Sequence, residues 1–332
     1  MQVILPVAGL GTRLRPHTWS RPKPLVAVAG KTILDHVLDR LSTLPVERVV
    51  FVTGYLGEQI AEHVRRNYQF DAIFVEQPEP LGQSHAILQA KGKVSGPTVV
   101  MFPDMIFEAN VSQLDTMDAD GAVYVMPVDD PRRFGVVILE DGRVVRLVEK
   151  PVEPVSNLAV MGIYYFREVD QLMAAIETQI AADIKTKAEY FLADAIQLMI
   201  DGGANIRAVE AEVWEDCGTS EALLGANRYL LARLDDCPVR EHVVQIPPVY
   251  IAPTATVRES VIGPYASIGA GATVVGSIIR DSIVDDEADI RSVSIAESLI
   301  GKGAVIRRDP WRVNVGDNST LDLSYDPDRR HE

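Results

Sequence analysis

The sequence predicts an α/β protein: a doubly wound mixed sheet followed by a short parallel β-helix. Two patterns predict it. Over the first two hundred residues, short apolar runs alternate with segments of helical periodicity, the arrangement that lays helices on both faces of a sheet. Beyond Val239, aliphatic residues recur every six positions. Neither an α-helix nor a simple strand has that period, and it marks the sides of a β-helix coil.

Val3-Ile4-Leu5 reads as a buried strand. Ala8-Gly9-Leu10-Gly11-Thr12 follows at once, and glycines after a strand let backbone N–H groups approach an anion with no Cβ in the way. Arg13, Arg15, Arg21, Lys23 and Lys31 come next, and no Asp or Glu precedes Asp35 in a chain of net charge -15. Cations fused to a glycine turn suit a polyphosphate, provided that they converge on one place. A solvated basic loop has the same composition. The Walker signature is absent, and the third glycine of the dinucleotide fingerprint would fall near Arg13 or Leu14.

Ile33, Leu34, Val37, Leu38 and Leu41 predict an amphipathic helix over residues 32–42. A strand over 48–54, a helix around Ile60, Ala61 and Val64, and a third strand over 72–75 follow. In such sheets ligands sit beyond the carboxyl ends of the strands, so the residues just past each strand are the informative ones. After the third strand comes the turn Gln77-Pro78-Glu79-Pro80-Leu81-Gly82, where the Gln77 amide offers a base edge both a donor and an acceptor. The run Val99-Val100-Met101-Phe102-Pro103 stops at Asp104. A carboxylate there is either a turn former or a metal ligand, since Mg²⁺ takes carboxylate oxygens together with substrate phosphates.

Asp141-Gly142 predicts a hairpin, read as an insertion covering the site from one side. Glu149-Lys150 beyond it resembles an ordinary solvated ion pair when taken alone. A helix is expected over 186–202, stopped by Gly202-Gly203, then a strand at 206–209 and a helix capped by Thr219 or Ser220. Cys217 reads as a small buried side chain.

In the last ninety residues the six-residue steps run Ile251 to Val257, Ile262 to Ile268 to Val274, Ile278 to Val284 to Ile290, and Ile300 to Ile306. Roughly three coils fit, closed by Gly316-Asp317-Asn318-Ser319. The expected division is a catalytic domain over 1–240, a β-helix over 241–322 and a disordered tail over 323–332. β-Helices of this type often transfer acyl groups with a coil histidine, but only His331 follows His242. Assembly of a homo-oligomer is the expected role instead. The acidic balance argues against a nucleic-acid partner. Cys217 and Cys237 have neither metal nor redox spacing, and no apolar run approaches the ~18 residues of a membrane span, so a cytoplasmic location is expected.

Gly9-Leu10-Gly11-Thr12-Arg13-Leu14-Arg15-Pro16, with Arg21-Pro22-Lys23-Pro24, resembles the G-x-G-T-R-L-x-P…K-P motif of sugar-nucleotide pyrophosphorylases, nucleotidyltransferases that act on sugar 1-phosphates. The 77–82 turn is similar to the family's Q-x-x-P-x-G, and residues 102–107 to its L-G-D-N-I-F, with Pro103 and Met105 as departures. Residues 214–219 are similar to W-x-D-x-G-T, and residues 134–135, 149–151 and 157–164 to the sugar-phosphate segments. The opening at 6–11 leans toward uridylyltransferases and the run 150–165 toward glucose-1-phosphate thymidylyltransferases. The resemblance covers residues 1–240, and the β-helix matches the longer members.

The resemblance implies a Rossmann-like sheet, a left-handed β-helix and a set of roles. Ala8, Gly9, Gly11, Thr12, Arg13, Gln77, Pro80 and Gly82 would bind the nucleotide. Gly135, Glu149, Lys150, Val160 and Tyr164 would bind the sugar phosphate. Asp104 and Asp216 would hold Mg²⁺, and Arg13, Lys23 and Asp104 would act in catalysis. The implied reaction joins a nucleoside triphosphate (dTTP or UTP) to a hexose 1-phosphate, with glucose 1-phosphate as the default. Three other readings compete: a non-catalytic regulatory homologue that binds sugar nucleotides, a bifunctional enzyme with acyl transfer in the β-helix, and a nicotinamide-dependent dehydrogenase.

Overall fold

The structure is a computed structural model that describes residues 1–42, 44–69, 71–109, 114–234, 238–309, 312–317 and 319. Expectations on Cys237, Asn318 and the 323–332 tail lie outside the described residues.

Strand Gln2–Pro6 is the axis of a nine-stranded sheet. It runs parallel to Arg48–Thr53 on one side and to Thr98–Met101 on the other, with Asp71–Glu76 parallel beyond Arg48–Thr53. Its alternating side chains feed two cores, as a strand buried on both faces must. Val3 and Leu5 pack with α1 (Ile33–Leu41) and α2 (Gly57–Asn67). Ile4 packs with α3 (Gln83–Leu88), α4 (Val169–Ala181) and α5 (Leu192–Asp201). Thr32 starts α1 with a capping box: its hydroxyl accepts from the Asp35 amide, and the Asp35 carboxylate accepts from the Thr32 amide, both at 3.0 Å.

The second half of the sheet is mixed. Leu158–Phe166 runs antiparallel to Thr98–Met101 and Gly121–Pro127, and Ile206–Glu210 runs parallel to the latter. The hairpin Gly135–Glu140/Arg143–Glu149 turns at Asp141 and Gly142, both at positive φ. It is not an insertion over a site: both strands pair into the main sheet, Val136 with Ala159 and Arg143 with Arg207, and Val137, Val144 and Leu147 enter the core with α5. Local alternation could not reveal that partner. The helix expected over 186–202 begins only at Leu192. Thr186 and Glu189 bond each other's backbone at 3.1 Å around Lys187 and Ala188, which sit at φ 50 and 68.

Beyond Val243 three four-stranded parallel sheets stack into a β-helix. Two inward columns are Ile251–Ile268–Val284–Ile300 and Val257–Val274–Ile290–Ile306. Each face has four rungs rather than the three coils expected. The third inward column, Gln245–Ile262–Ile279–Ile295, corrects the assignment of Ile278. Ile279 is fully buried, whereas Ile278 is 49% exposed. Two coils have five positions at one corner, from Ile279 to Val284 and Ile295 to Ile300, and every coil has five at another, from Val257 to Ile262, Val274 to Ile279 and Ile290 to Ile295. Its left-handed residues are Glu259, Gly276 and Ser292. A strict six-residue count therefore slips there.

The β-helix docks on the first segment of the sheet domain and on α6 (Ser220–Leu231). Val26, Val28, Leu223, Leu224 and Ile283 share one apolar cluster. Gly30 lies so close to the Tyr250 ring that an added Cβ would fall 2.4 Å from Cζ. Asn227 is fully buried at the seam. Its Oδ1 accepts from the Ala29 amide (3.0 Å) and the Ser267 hydroxyl (2.6 Å), and its Nδ2 donates to the Tyr265 carbonyl (3.1 Å). Asn227→Ala strands these buried groups and should cost about 2–4 kcal/mol, read as a clear fall in Tm. An unchanged Tm would mean that water replaces the amide.

Candidate active site

A cleft of ≈ 580 Å³ opens at the carboxyl ends of the parallel strands, where the chain leaves Gln2–Pro6. Ala8, Gly9, Gly11, Thr12 and Arg13 form one wall. A Cβ at Gly9 would meet nothing within 4 Å, so the main chain there lies open to the cleft. Gly11 sits at φ 61, and a Cβ would fall 2.9 Å from Lys23 Cβ, so the position needs glycine twice over. Arg13 is exposed to the cleft and makes no hydrogen bond or ion pair among the described residues.

Of the five cations in the basic stretch, only Arg13 and Lys23 line the cleft. Lys31 pairs with Asp39 at 2.6 Å, and Arg21 turns away to Asp285 of the β-helix at 2.8 Å. The expected convergence of all these charges on one anion is thus replaced by a division of labour. Lys23 is buried, and its ammonium donates to Asp104 Oδ2 at 3.0 Å.

Asp104 and Asp216, far apart in sequence, meet through a two-stranded antiparallel ladder. Met105–Glu108 pairs with Val213–Asp216, setting Asp216 opposite Met105. The Cys217 amide then donates to the Asp104 carbonyl at 2.9 Å. The Gly218 amide donates to Asp216 Oδ1 at 2.8 Å. A Cβ on Gly218 would stand 2.8 Å from that oxygen and 3.1 Å from Arg13 Nη2, so the glycine keeps open the gap between this carboxylate and the free guanidinium. Cys217 is fully buried, and burial pushes its thiol pKa far up, which leaves it inert.

Gln77, Pro80 and Gly82 form the opposite wall. Gln77 Nε2 donates to the Gly82 carbonyl at 3.1 Å and lies 3.2 Å from His85 Nδ1. Gly82, at φ 120, packs so tightly on the Tyr190 backbone that a Cβ would fall 2.6 Å from Tyr190 N. The Tyr190 amide donates to Leu81 and its carbonyl accepts from Ser84, both at 2.9 Å.

Among the residues expected at the sugar phosphate, Lys150 lines the cleft. It sits at φ 44, with Nζ 3.2 Å from Glu149 Oε1 and 4.3 Å above the Phe191 ring. Gly135 pairs with Glu149 across the hairpin, and a Cβ there would come 3.0 Å from Glu149 Oε2. Glu149, Gly135, Val160 and Tyr164 are not on the cleft wall. Glu149 is 10% exposed, and Val160 and Tyr164 are buried behind it. Burial holds the Glu149 carboxyl above the usual range, against the opposing pull of Lys150. Burial also pushes up the Tyr164 phenol, helped by the charges of Glu149 and Asp104.

Glu189 and Phe191 line the cleft and were not singled out from the sequence. Their signal is weak: the expected helix over 186–202 absorbs them into its first turns, whereas the helix starts only at Leu192.

The nucleotidyl transferase family model matches residues 1–233. A glucose-1-phosphate thymidylyltransferase of Streptomyces antibioticus is 31% identical over 360 residues, covering 97% of this chain and 99% of its own. A UTP–glucose-1-phosphate uridylyltransferase, AglF of Haloferax volcanii, is 35% identical over 230 residues, covering 67% of this chain and 93% of its own. A UDP-glucose pyrophosphorylase from Acinetobacter baumanii shares the fold with a TM-score of 0.59 at 24% identity, over 70% of this chain and 94% of that one. The chain belongs to the nucleotidyl transferase family.

Proposed function

We propose that this protein joins a nucleoside triphosphate, dTTP or UTP, to a hexose 1-phosphate, glucose 1-phosphate first, releasing pyrophosphate and a nucleoside diphosphate sugar. The observation that carries this reading is one cleft holding a free Arg13 guanidinium, the Lys23 ammonium and the Asp104 carboxylate, with Asp216 beside them.

The sugar phosphate already bears an anionic oxygen. It attacks the α-phosphorus, the bond from that phosphorus to the pyrophosphate oxygen breaks, and no general base is needed. The barrier lies in bringing anions together and in the charge on the leaving group, so positioning and electrostatics suffice. Arg13 faces the departing pyrophosphate and Lys23 the α-phosphate. The main chain of Ala8, Gly9, Gly11 and Thr12 cradles the triphosphate, and the Gln77, Pro80 and Gly82 turn holds the base. Lys150 takes the sugar's phosphate. Glu149, backed by Gly135, Val160 and Tyr164, accepts from sugar hydroxyls.

Asp104 and Asp216 fit Mg²⁺. They offer hard oxygen donors, brought to one place by the ladder between Met105–Glu108 and Val213–Asp216. A two-carboxylate set leaves room for the waters and phosphate oxygens that Mg²⁺ prefers. When bound, the ion supplies charge neutralisation to the phosphates. Among the described residues no helix is long and apolar enough to cross a membrane, and we place the reaction in the cytoplasm. The β-helix, beginning near residue 241, serves assembly of a homo-oligomer; Val244, Val261 and Ile278 form an apolar outward column on one of its faces.

Pyrophosphate release with Mg²⁺, measured over dTTP, UTP, GTP and ATP against several sugar 1-phosphates, should show one preferred pair. Silence across the matrix from folded protein would favour the regulatory homologue. Arg13→Ala should lower kcat by about 10²-fold or more; a change confined to KM would move Arg13 out of the transition state. For Glu149, KM for the sugar 1-phosphate should rise as pH falls through its raised pKa, above the ordinary 4.5. Glu149→Gln should remove that component of the trend. The folded chain holds this proton more tightly than the unfolded one, so the Glu149 contribution to stability is full below 4.5 and lost as pH rises through the folded value.

A further inference from the structure

Arg21 lies inside the signature stretch but outside the cleft. Its Nη1 donates to Asp285 Oδ2 at 2.8 Å and reaches the Leu25 carbonyl at 3.4 Å. The two side chains are only 18% and 15% exposed, so screening weakens this pair less than a surface pair. Asp285 is itself fixed. Its amide donates to the Ile300 carbonyl at 2.9 Å, and its other oxygen accepts from the Asp286 amide at 2.8 Å. From Arg21 the chain needs two residues to reach Lys23, and Pro22 and Pro24 stiffen them. A single 3₁₀ turn, Lys23–Leu25, follows, closed by the Leu25 amide on Pro22 and the Val26 amide on Lys23 at 2.9 and 3.0 Å. Val26 and Val28 then pack in one cluster with Ile283 of the β-helix.

We infer that Asp285 is a positioning residue for the transfer reaction: through Arg21 and this stiff turn it sets where the Lys23 ammonium stands beside Asp104. The inference rests on the function proposed above. It makes the β-helix part of the active site's framework, although the family model ends at residue 233. A short rigid lever suits such a role, because a small displacement of a charged donor costs far more in rate than in binding.

The test is a double-mutant cycle on the full chain, with pyrophosphate release as the readout. Asp285→Asn keeps the side chain's shape and removes its charge. It should lower kcat about 10-fold, with KM for both substrates little changed. In a Lys23→Ala background the same substitution should have almost no further effect, because the residue through which it acts is gone. Equal factors in the two backgrounds would show a general structural role and overturn the inference, as would an unaffected kcat in Asp285→Asn. Should that variant not fold, Arg21→Lys, which keeps the charge and shortens the fork, runs the same cycle with the same expected result. An inactive wild type would overturn the proposed function and this inference with it. An active wild type with additive effects overturns only the positioning role.

Discussion

The ladder between Met105–Glu108 and Val213–Asp216 is the constraint on which the site depends. Two carboxylates stand together beside a cleft lined by Arg13 and Lys23, in a chain of net charge -15. Like charges brought together repel, so side chains alone would not choose this arrangement. Backbone bonding imposes it, and the Cys217 amide on the Asp104 carbonyl closes it. Cations then offset it: Lys23 at 3.0 Å from Asp104, and Arg133 at 3.9 Å from Asp216.

That arrangement makes the segment 9–30 two-faced. Its cleft side carries the open main chain at Gly9, the free Arg13 and the buried Lys23; its other side carries Arg21, Val26, Val28 and Gly30 against the β-helix. A segment so rich in glycine and proline has little regular structure to hold it. It is held instead by what packs behind it, with Asn227 satisfying the Ala29 amide at the centre of the seam. The β-helix is therefore more than an appendage to a finished enzyme core.

The main lines of the fold were legible in the sequence, because alternating and six-residue periods are local signals. The failures share one cause. The 135–149 hairpin has the right turn, but its place in the sheet depends on strands far along the chain. Ile278 and Ile279 are equally apolar, and only a coil corner one residue short decides which points inward. Arg13, Arg15, Arg21 and Lys23 look alike as a basic run; the partner that claims Arg21 lies 264 positions away. Composition shows that cations are present, and tertiary structure decides which of them meet the ligand. Glu189 and Phe191 were overlooked for the same reason, since their place on the cleft wall comes from the Tyr190 backbone bonding to the 81–84 turn.

The titration pattern around the cleft bears on what kind of catalyst this is. An active site that moves protons needs a group poised to lose one near neutral pH. Here Cys217 and Tyr164 are both pushed upward by burial and stay protonated, so neither serves as a base. Glu149, a perturbed carboxylate beside the cleft, stands against Lys150 behind the wall, on the hairpin strand paired with Gly135. Under the proposed function, its desolvated environment suits the acceptance of sugar hydroxyl hydrogen bonds rather than proton abstraction at phosphorus. For the proposed reaction, what remains is fixed charge: a free guanidinium, a buried ammonium and two carboxylates. Such a site gains rate only by holding its charges still, which is why glycines without room for a Cβ, a strand ladder and a docked β-helix all converge on its backbone.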